Sequence, residues 1–364
     1  MNIFNYIDNY GIYSFEEMEF NDVDAAIFSF LSYINYNDLL DNKRLSISTL
    51  GRLCGSSYLE VDKSIIAERD ALKILHYLMD SKRYKNCLLF NNVYESDDES
   101  QFSVVSIMYM KNKIYVSYEG TDELLSGWYE NFLLSYLYPT KSHLKAIKYL
   151  NRYMLSNYQL IVGGHSKGGN LALVASMNCN FLVKSKISKI YNMDGPGLLP
   201  HIYNSSKYSS IEDRYYHFMP NNSIVGILLE NSNDIIIKAN IDNILSHDIL
   251  YWDISGCRFT SSKLTTLSLY LRKNLNNYIY SLSRNELKLV IDNFDLICRK
   301  VGVKSVLDLK KDNKKIVMLF REISQINGQT RIIILGLFEV FFKAIGGATK
   351  ENFYNLMGKF KKYI

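Results

Sequence analysis

The sequence predicts an α/β fold: a mostly parallel sheet flanked by helices, followed by a mainly helical C-terminal region. Two patterns carry this expectation. Between Lys113 and Met219 strand-like and helix-like segments alternate, the order that builds parallel sheets through right-handed crossovers. Beyond residue 260 strand and turn signals fade and helical patterning takes over. The 364 residues are 48% hydrophobic, which suits a main domain of about 200–250 residues carrying a smaller part. The boundary is expected near residue 258, giving a first domain over 1–258 and a helical region over 259–364.

Taken in order, residues 18–35 place Val23, Ile27, Phe30, Leu31 and Ile34 at helical spacing behind Asn21 or Asp22 as N-cap. A second helix over 62–81 turns Ile65, Ile66, Leu72, Leu75 and Leu78 inward. Residues 101–110 and 113–118 are β-rich runs around Lys111-Asn112, a hairpin signature. The second run stops at Glu119-Gly120-Thr121. Residues 143–156 read as a helix with Leu144, Ile147, Leu150 and Met154 on one side. The run YQLIVG, 158–163, lacks alternation and fits a strand buried on both faces. A sharp turn over 164–169, a helix of small residues over 170–177, a strand over 186–193 and another over 215–219 follow. Chemistry gathers at the carboxyl ends of such strands, where Thr121, Ser166 and Asp194 fall.

Composition narrows the functions. A net charge of +5 with no tight basic cluster other than Lys310–Lys315 argues against a nucleic-acid footprint. The five cysteines, Cys54, Cys87, Cys179, Cys257 and Cys298, show no C-x-x-C spacing. This argues against a disulfide framework or structural zinc and suggests free thiols in a reducing cytoplasm. The first eleven residues lack a basic stretch followed by an apolar run, so no signal peptide is expected. The apolar run 332–345 carries Glu339 and Lys343 and is short for a bilayer span, which needs about 20 residues. It reads as a buried or oligomer-contact helix, or as a peripheral membrane contact.

Gly164-His165-Ser166-Lys167-Gly168 is a G-x-S-x-G sequence between a strand and a helix. That context defines a nucleophile elbow. The serine sits on a strained turn, the flanking Gly164 and Gly168 allow strand and helix to approach, and the hydroxyl meets the helix N-terminus. An α/β-hydrolase type of fold follows. A Gly-rich turn without chemistry is the alternative; a P-loop is not, because G-x-x-x-x-G-K-[ST] is absent. A serine needs a base. Of the six histidines, His76 and His143 lie in predicted helices before the elbow and His165 adjoins Ser166. His247, in the loop 243–252, is the first choice, with His217 and His201 as alternatives. For the acid Asp194 comes first, because it ends the next strand beside Ser166; Asp213, Asp234, Asp242 and Asp248 stay open. The oxyanion hole calls for the backbone N–H of Lys167 and one from the loop at Thr121. No metal and no cofactor are expected.

The segments VSYEGTDELLSGWYENF (116–132) and IVGGHSKGGNLALVAS (161–176) resemble the class 3 lipases. A lipase-related bacterial family of uncharacterised function, described as Mbeg-like, is closer. The resemblance runs through F-N-x-V-D (Phe20–Asp24), G-T-D…G-W-x-E-x-F, G-H-S-K-G-G-N, D-G-P-G, S-I-V-G (Ser223–Gly226) and H-D…W (His247–Trp252), over residues 18–258. It implies Ser166 as nucleophile, His247 as base and Thr121 as oxyanion residue. Two departures stand out. Glu119 replaces the usual Arg, and the lipase acid position falls at Asn221–Ser223, which holds no carboxylate. The expected function is therefore a serine esterase acting on a small-molecule or lipid ester or thioester through an acyl-Ser166 intermediate. The competing expectation is a catalytically degenerate hydrolase fold serving as a binding or membrane-associated interaction module.

Overall fold

Eight strands hydrogen-bond in chain order into one sheet: β1 Leu45–Ser46, β2 Leu88–Ser96, β3 Gln101–Met110, β4 Lys113–Tyr118, β5 Gln159–His165, β6 Ile187–Met193, β7 Tyr215–Pro220 and β8 Asp234–Ile237. The computed structural model describes residues 1–54, 66–96, 101–121, 133–303, 312–326, 330–331 and 334. β1 to β4 pair antiparallel. β4 to β8 pair parallel, so the loops leaving β4, β5 and β6 open on one edge. The β3–β4 hairpin and β5, β6 and β7 lie within one or two residues of their expected bounds. β1, β2 and β8 carry no strong sequence signal: two are very short, and β2 breaks register between Phe90 and Val93.

β4 shows how the layers arise. Successive side chains of a strand face opposite ways. The hydroxyls of Tyr115 and Ser117 donate to the carbonyls of Ala25 (3.1 Å) and Phe28 (2.8 Å) in the helix Asp22–Phe30. The Tyr118 hydroxyl donates to the carbonyl of Ala146 (2.8 Å) in the helix Lys141–Leu150, on the other face. Helices thus cover both faces, which is why β5 is apolar without alternation.

Three helix expectations shift. The first helix starts at Asp22 with Asn21 as its cap, as the sequence proposed, and tightens into a 3₁₀ turn over Leu31–Tyr33. The second spans Ile66–Leu78 with Leu72, Leu75 and Leu78 buried; Ile65 lies outside the described residues. The third starts two residues early, capped by Thr140, and buries His143, Ala146, Tyr149 and Leu150. Leu144 and Met154 are exposed, which corrects the expected inner face. His143, polar and so absent from the expected apolar face, is buried and rotates that face.

Beneath the helix Asp22–Phe30 lies a buried ion pair. Arg83 grips both Asp24 oxygens, Nε to Oδ1 at 2.8 Å and a terminal nitrogen to Oδ2 at 2.6 Å, and neither side chain is exposed. Tyr84 donates to Oδ1 at 2.6 Å, and the Asn21 amide to Oδ2 at 2.9 Å. Arg83 also donates to the carbonyls of Met18 (2.8 Å) and Glu19 (3.0 Å) and lies 4.0 Å over the Phe15 ring. Every lone pair that burial would strand has a donor, the condition for a buried ion pair to persist.

The chain divides into two units, Met1–Asp122 with Pro139–Ser268, and Glu123–Tyr138 with Leu269–Ile364. The sheet belongs to the first. In the second, the helix Arg284–Val301 opens with a Ser283–Glu286 capping box and ends at Gly302 in the left-handed region (φ 67°). Its buried stripe, Leu287, Val290, Ile291, Phe294, Ile297 and Val301, follows helical spacing. No helix among the described residues is long and apolar enough to cross a membrane. The apolar run 332–345, except Ile334, and Lys310 and Lys311 lie outside those residues.

Candidate active site

Ser166 lies between β5 and the helix Lys167–Asn178 with φ 57° and ψ −130°. A side-chain-bearing residue pays for a positive φ in strain, and such strain gathers at functional turns. The glycines make the turn possible. A Cβ on Gly168 would stand 2.1 Å from the Tyr118 carbonyl oxygen, and one on Gly164 2.4 Å from the Gly168 carbonyl carbon. The Ser166 amide donates to the Met193 carbonyl at 2.8 Å, so the elbow is stitched to the end of β6.

Asp194 is the next residue along, also at positive φ (53°) and fully buried. Its Oδ2 accepts from His247 Nδ1 at 2.6 Å. Its Oδ1 accepts from the Ser223 hydroxyl at 2.5 Å and the Gly226 amide at 3.1 Å. The S-I-V-G segment therefore clamps one carboxylate oxygen and leaves the other to the imidazole. The stretch Asn221–Ser223, which holds no carboxylate, supplies the Ser223 hydroxyl to Asp194 at the end of the neighbouring strand β6. The Asp-Gly-Pro-Gly turn is fixed around it: Asn170 donates to the Gly197 carbonyl at 2.7 Å, and His217 Nε2 to the Gly195 carbonyl at 3.1 Å.

His247 ends a 3₁₀ turn, Ile244–His247. Its ring lies 4.4 Å from that of His165, centroid to centroid. His165 Nε2 donates to the His247 carbonyl at 2.8 Å, so its Nδ1 accepts from the Tyr33 hydroxyl, also at 2.8 Å. Burial and the nearby His247 charge hold His165 well below the usual imidazole pKa, so it stays neutral. The residue that the sequence set aside as a mere neighbour of Ser166 anchors the backbone of His247.

The structure brings Asp194 and His247 together and sets both at the edge where Ser166 turns. Among the described residues the Ser166 hydroxyl forms no hydrogen bond. Ser166 is 2% exposed, while the His247 side chain keeps 26% of its surface open. A Cβ on Gly120 would stand 3.0 Å from the Cβ of Ser166, so the loop holding Thr121 abuts Ser166. Lys167 begins the helix, and its buried ammonium donates to the Gln101 carbonyl at 2.8 Å. Glu119, the residue before Gly120, is buried and accepts from Gln101 Nε2 at 3.4 Å. Asp122 and the G-W-x-E-x-F segment lie outside the described residues.

The remaining candidates have other partners. His217 pairs with Asp234 at 2.7 Å. Asp213 contacts Arg214 at 3.4 Å, Asp242 accepts from Asn222 at 2.8 Å, and Asp248 caps the Leu250 amide at 2.9 Å. His201 is exposed on the short helix Pro200–Tyr203. All five cysteines are free, and burial raises each thiol's pKa, Cys179 to about 11 and Cys298 to about 12. None is an activated nucleophile at neutral pH. No cluster of metal-ligating side chains occurs among the described residues.

His143 sets a pH limit on this architecture. Its Nε2 donates to Asn170 Oδ1 at 2.7 Å, bracing the helix that follows Ser166. Burial, opposed by the Asn170 bond and aided by Lys167, lowers its pKa from 6.5 to about 4. Between those values the unfolded chain binds the proton and the folded one does not, so stability falls as the pH drops. Loss of about 3 kcal/mol from this residue is expected below pH 4. Thermal melts from pH 7 to 4 should decline, and His143→Gln should flatten the decline; an unchanged slope contradicts the assignment.

A strained serine elbow at the carboxyl edge of parallel strands, next to an imidazole–carboxylate pair, marks a fold of the α/β-hydrolase type. The chain belongs to the Mbeg1-like family, whose sequence model matches residues 78–295. A crystal structure of M37 lipase is similar at 14% sequence identity and a TM-score of 0.35, over 69% of this chain and 78% of that one. No curated protein matches.

Proposed function

We propose that this chain is a serine hydrolase that cleaves a carboxylic ester or thioester, of a small molecule or a lipid, through an acyl-Ser166 intermediate. The observation that carries the reading is the 2.6 Å bond between Asp194 and His247 beside a serine held at φ 57°. With Nδ1–H committed to Asp194, Nε2 of His247 is the free basic nitrogen. It takes the Ser166 proton as Oγ attacks the carbonyl carbon, then returns that proton to the leaving alcohol or thiol. Water, deprotonated by the same nitrogen, cleaves the acyl-enzyme. The Lys167 amide and the Gly120–Thr121 loop supply the oxyanion donors at the helix N-terminus. Substrate is expected to enter past the partly exposed His247 side chain. Five free cysteines fit a reducing, cytoplasmic setting.

The test is a fluorophosphonate probe, which reports an activated serine without requiring the natural substrate. Wild type is expected to label and Ser166→Ala to lose all labelling. An unlabelled wild type, or a labelled Ser166→Ala, removes the reading. The burial of Ser166 favours a second one, in which the fold is kept as a binding module. In that case the folded wild type stays unlabelled.

A further inference from the structure

The edge of the sheet opposite Ser166 has a chemistry of its own. Residues 131–193 hold eight Lys or Arg and no Asp or Glu, although the whole chain carries 42 basic and 37 acidic residues. The fold gathers several of these bases where β4, β5 and β6 begin. Lys111 and Lys113 flank the β3–β4 turn, Lys148 and Arg152 precede β5, and Lys184 and Lys186 precede β6. These segments are stitched into one surface. The Gln159 amide donates to the Asn112 carbonyl (2.8 Å), the Leu160 amide to the Lys186 carbonyl (2.9 Å), and the Asn180 amide to Asn151 Oδ1 (2.7 Å). Lys186 Nζ donates to the carbonyls of Tyr153, Met154 and Ser156 at 2.9, 2.7 and 2.6 Å. Arg214 joins the edge through the carbonyls of Lys184 (3.0 Å) and Ile187 (2.8 Å).

Few acids oppose them. Asp22 accepts from Tyr191, Asp213 is paired with Arg214 at 3.4 Å, and Glu212 stands beside it. Of the seven bases named, only Arg214 makes an ion pair among the described residues. Large apolar side chains project from the same surface. Leu155 is 87% exposed and Phe181 73%, with Met154 and Leu182 beside them in the chain and also exposed. Both pairs sit on short segments, Met154–Leu155 after a 3₁₀ turn and Phe181–Leu182 opening a four-residue helix.

We infer that this edge is a docking surface for an anionic phospholipid bilayer, with Leu155 and Phe181 entering the interface and the bases meeting the headgroups. Cations alone would fit any polyanion; exposed Leu and Phe among them match the two-part recognition of a lipid interface. β5 has seven residues, so Ser166 stands about 20 Å from this edge at the rise of a strand. Docking and any chemistry at Ser166 are therefore separable, and the inference holds whichever way Ser166 is read.

The experiment is flotation of the full chain with phosphatidylcholine vesicles, with and without phosphatidylglycerol. Binding is expected only with phosphatidylglycerol and should fall as salt is raised. Each neutralised base near the surface should weaken binding about fivefold, so Lys148→Gln with Arg152→Gln should lose about 30-fold. Leu155→Ser with Phe181→Ser should lose about tenfold or more. All four positions are exposed, so melting temperatures should match wild type. Equal flotation on neutral vesicles, undiminished flotation of either double variant, or binding of a DNA duplex with no vesicle binding each overturns the inference.

Discussion

Asp194→Asn should slow fluorophosphonate labelling of Ser166 about 10⁴-fold while leaving the fold intact. The substitution isolates chemistry from structure. Asn tolerates the positive φ of this turn, and its amide oxygen can keep the two donors that hold Oδ1, the Ser223 hydroxyl and the Gly226 amide. What remains opposite His247 Nδ1 is then an NH₂ group. Two donors cannot face each other, so the imidazole must shift its proton to Nε2, the nitrogen meant to accept from Ser166. It also loses the negative charge that stabilises its protonated form. Labelling rates of the two proteins at equal folded fraction measure the effect. A variant within a few-fold of wild type would dismiss Asp194 as the acid and turn attention to Asp234, already paired with His217.

Asp24→Ala should destabilise the chain by 3–5 kcal/mol or more, by an order-of-magnitude estimate of about that size for a broken buried pair. Native stabilities lie at about 5–15 kcal/mol, so much of the protein should be unfolded or aggregated. The cause is the Arg83 guanidinium, left without its counter-charge in a place with no exposure. Urea denaturation reads the loss. Asp24→Leu combined with Arg83→Met removes both charges and should recover most of it, since replacing a buried pair with apolar groups is often close to neutral. If the double variant is as unstable as Asp24→Ala, the deficit comes from packing. Recovery in the double variant would mark the F-N-x-V-D segment, one of the marks of the family resemblance, as a structural clamp.

These two aspartates separate what was legible from what was not. Asp194 could be placed beside Ser166 because it ends the strand directly after the helix that Ser166 opens, and strand ends of parallel sheets converge. Asp24 could not be assigned a role. Nothing local to it names Arg83, 59 residues away, as its partner. His165 was misjudged for a similar reason: its neighbour in sequence is Ser166, but its ring answers to Tyr33 and to the backbone of His247, 132 and 82 residues distant. The S-I-V-G segment is recognisable in the sequence, but its task, holding Asp194 Oδ1 through Ser223 and Gly226, depends on a residue about 30 positions earlier. The misplaced inner face of the helix Lys141–Leu150 has the same origin, since hydrophobicity alone ranked Leu144 above His143.

By itself, the sequence determined the features written within a few residues of one another: the β3–β4 hairpin, the apolar strand β5, the tight serine turn with its two glycines, the cap of the helix that follows Asn21, and the succession of elements that requires parallel pairing. Such features depend on side-chain period, φ preferences and the space a Cβ takes, all carried by neighbouring residues. Tertiary structure alone decided which imidazole meets which carboxylate, which oxygen of Asp194 is left for His247, and that the opposite edge collects cations around exposed Leu and Phe. Those outcomes depend on the order of strands and on burial. Both bring together residues dozens of positions apart, and no local pattern records that proximity.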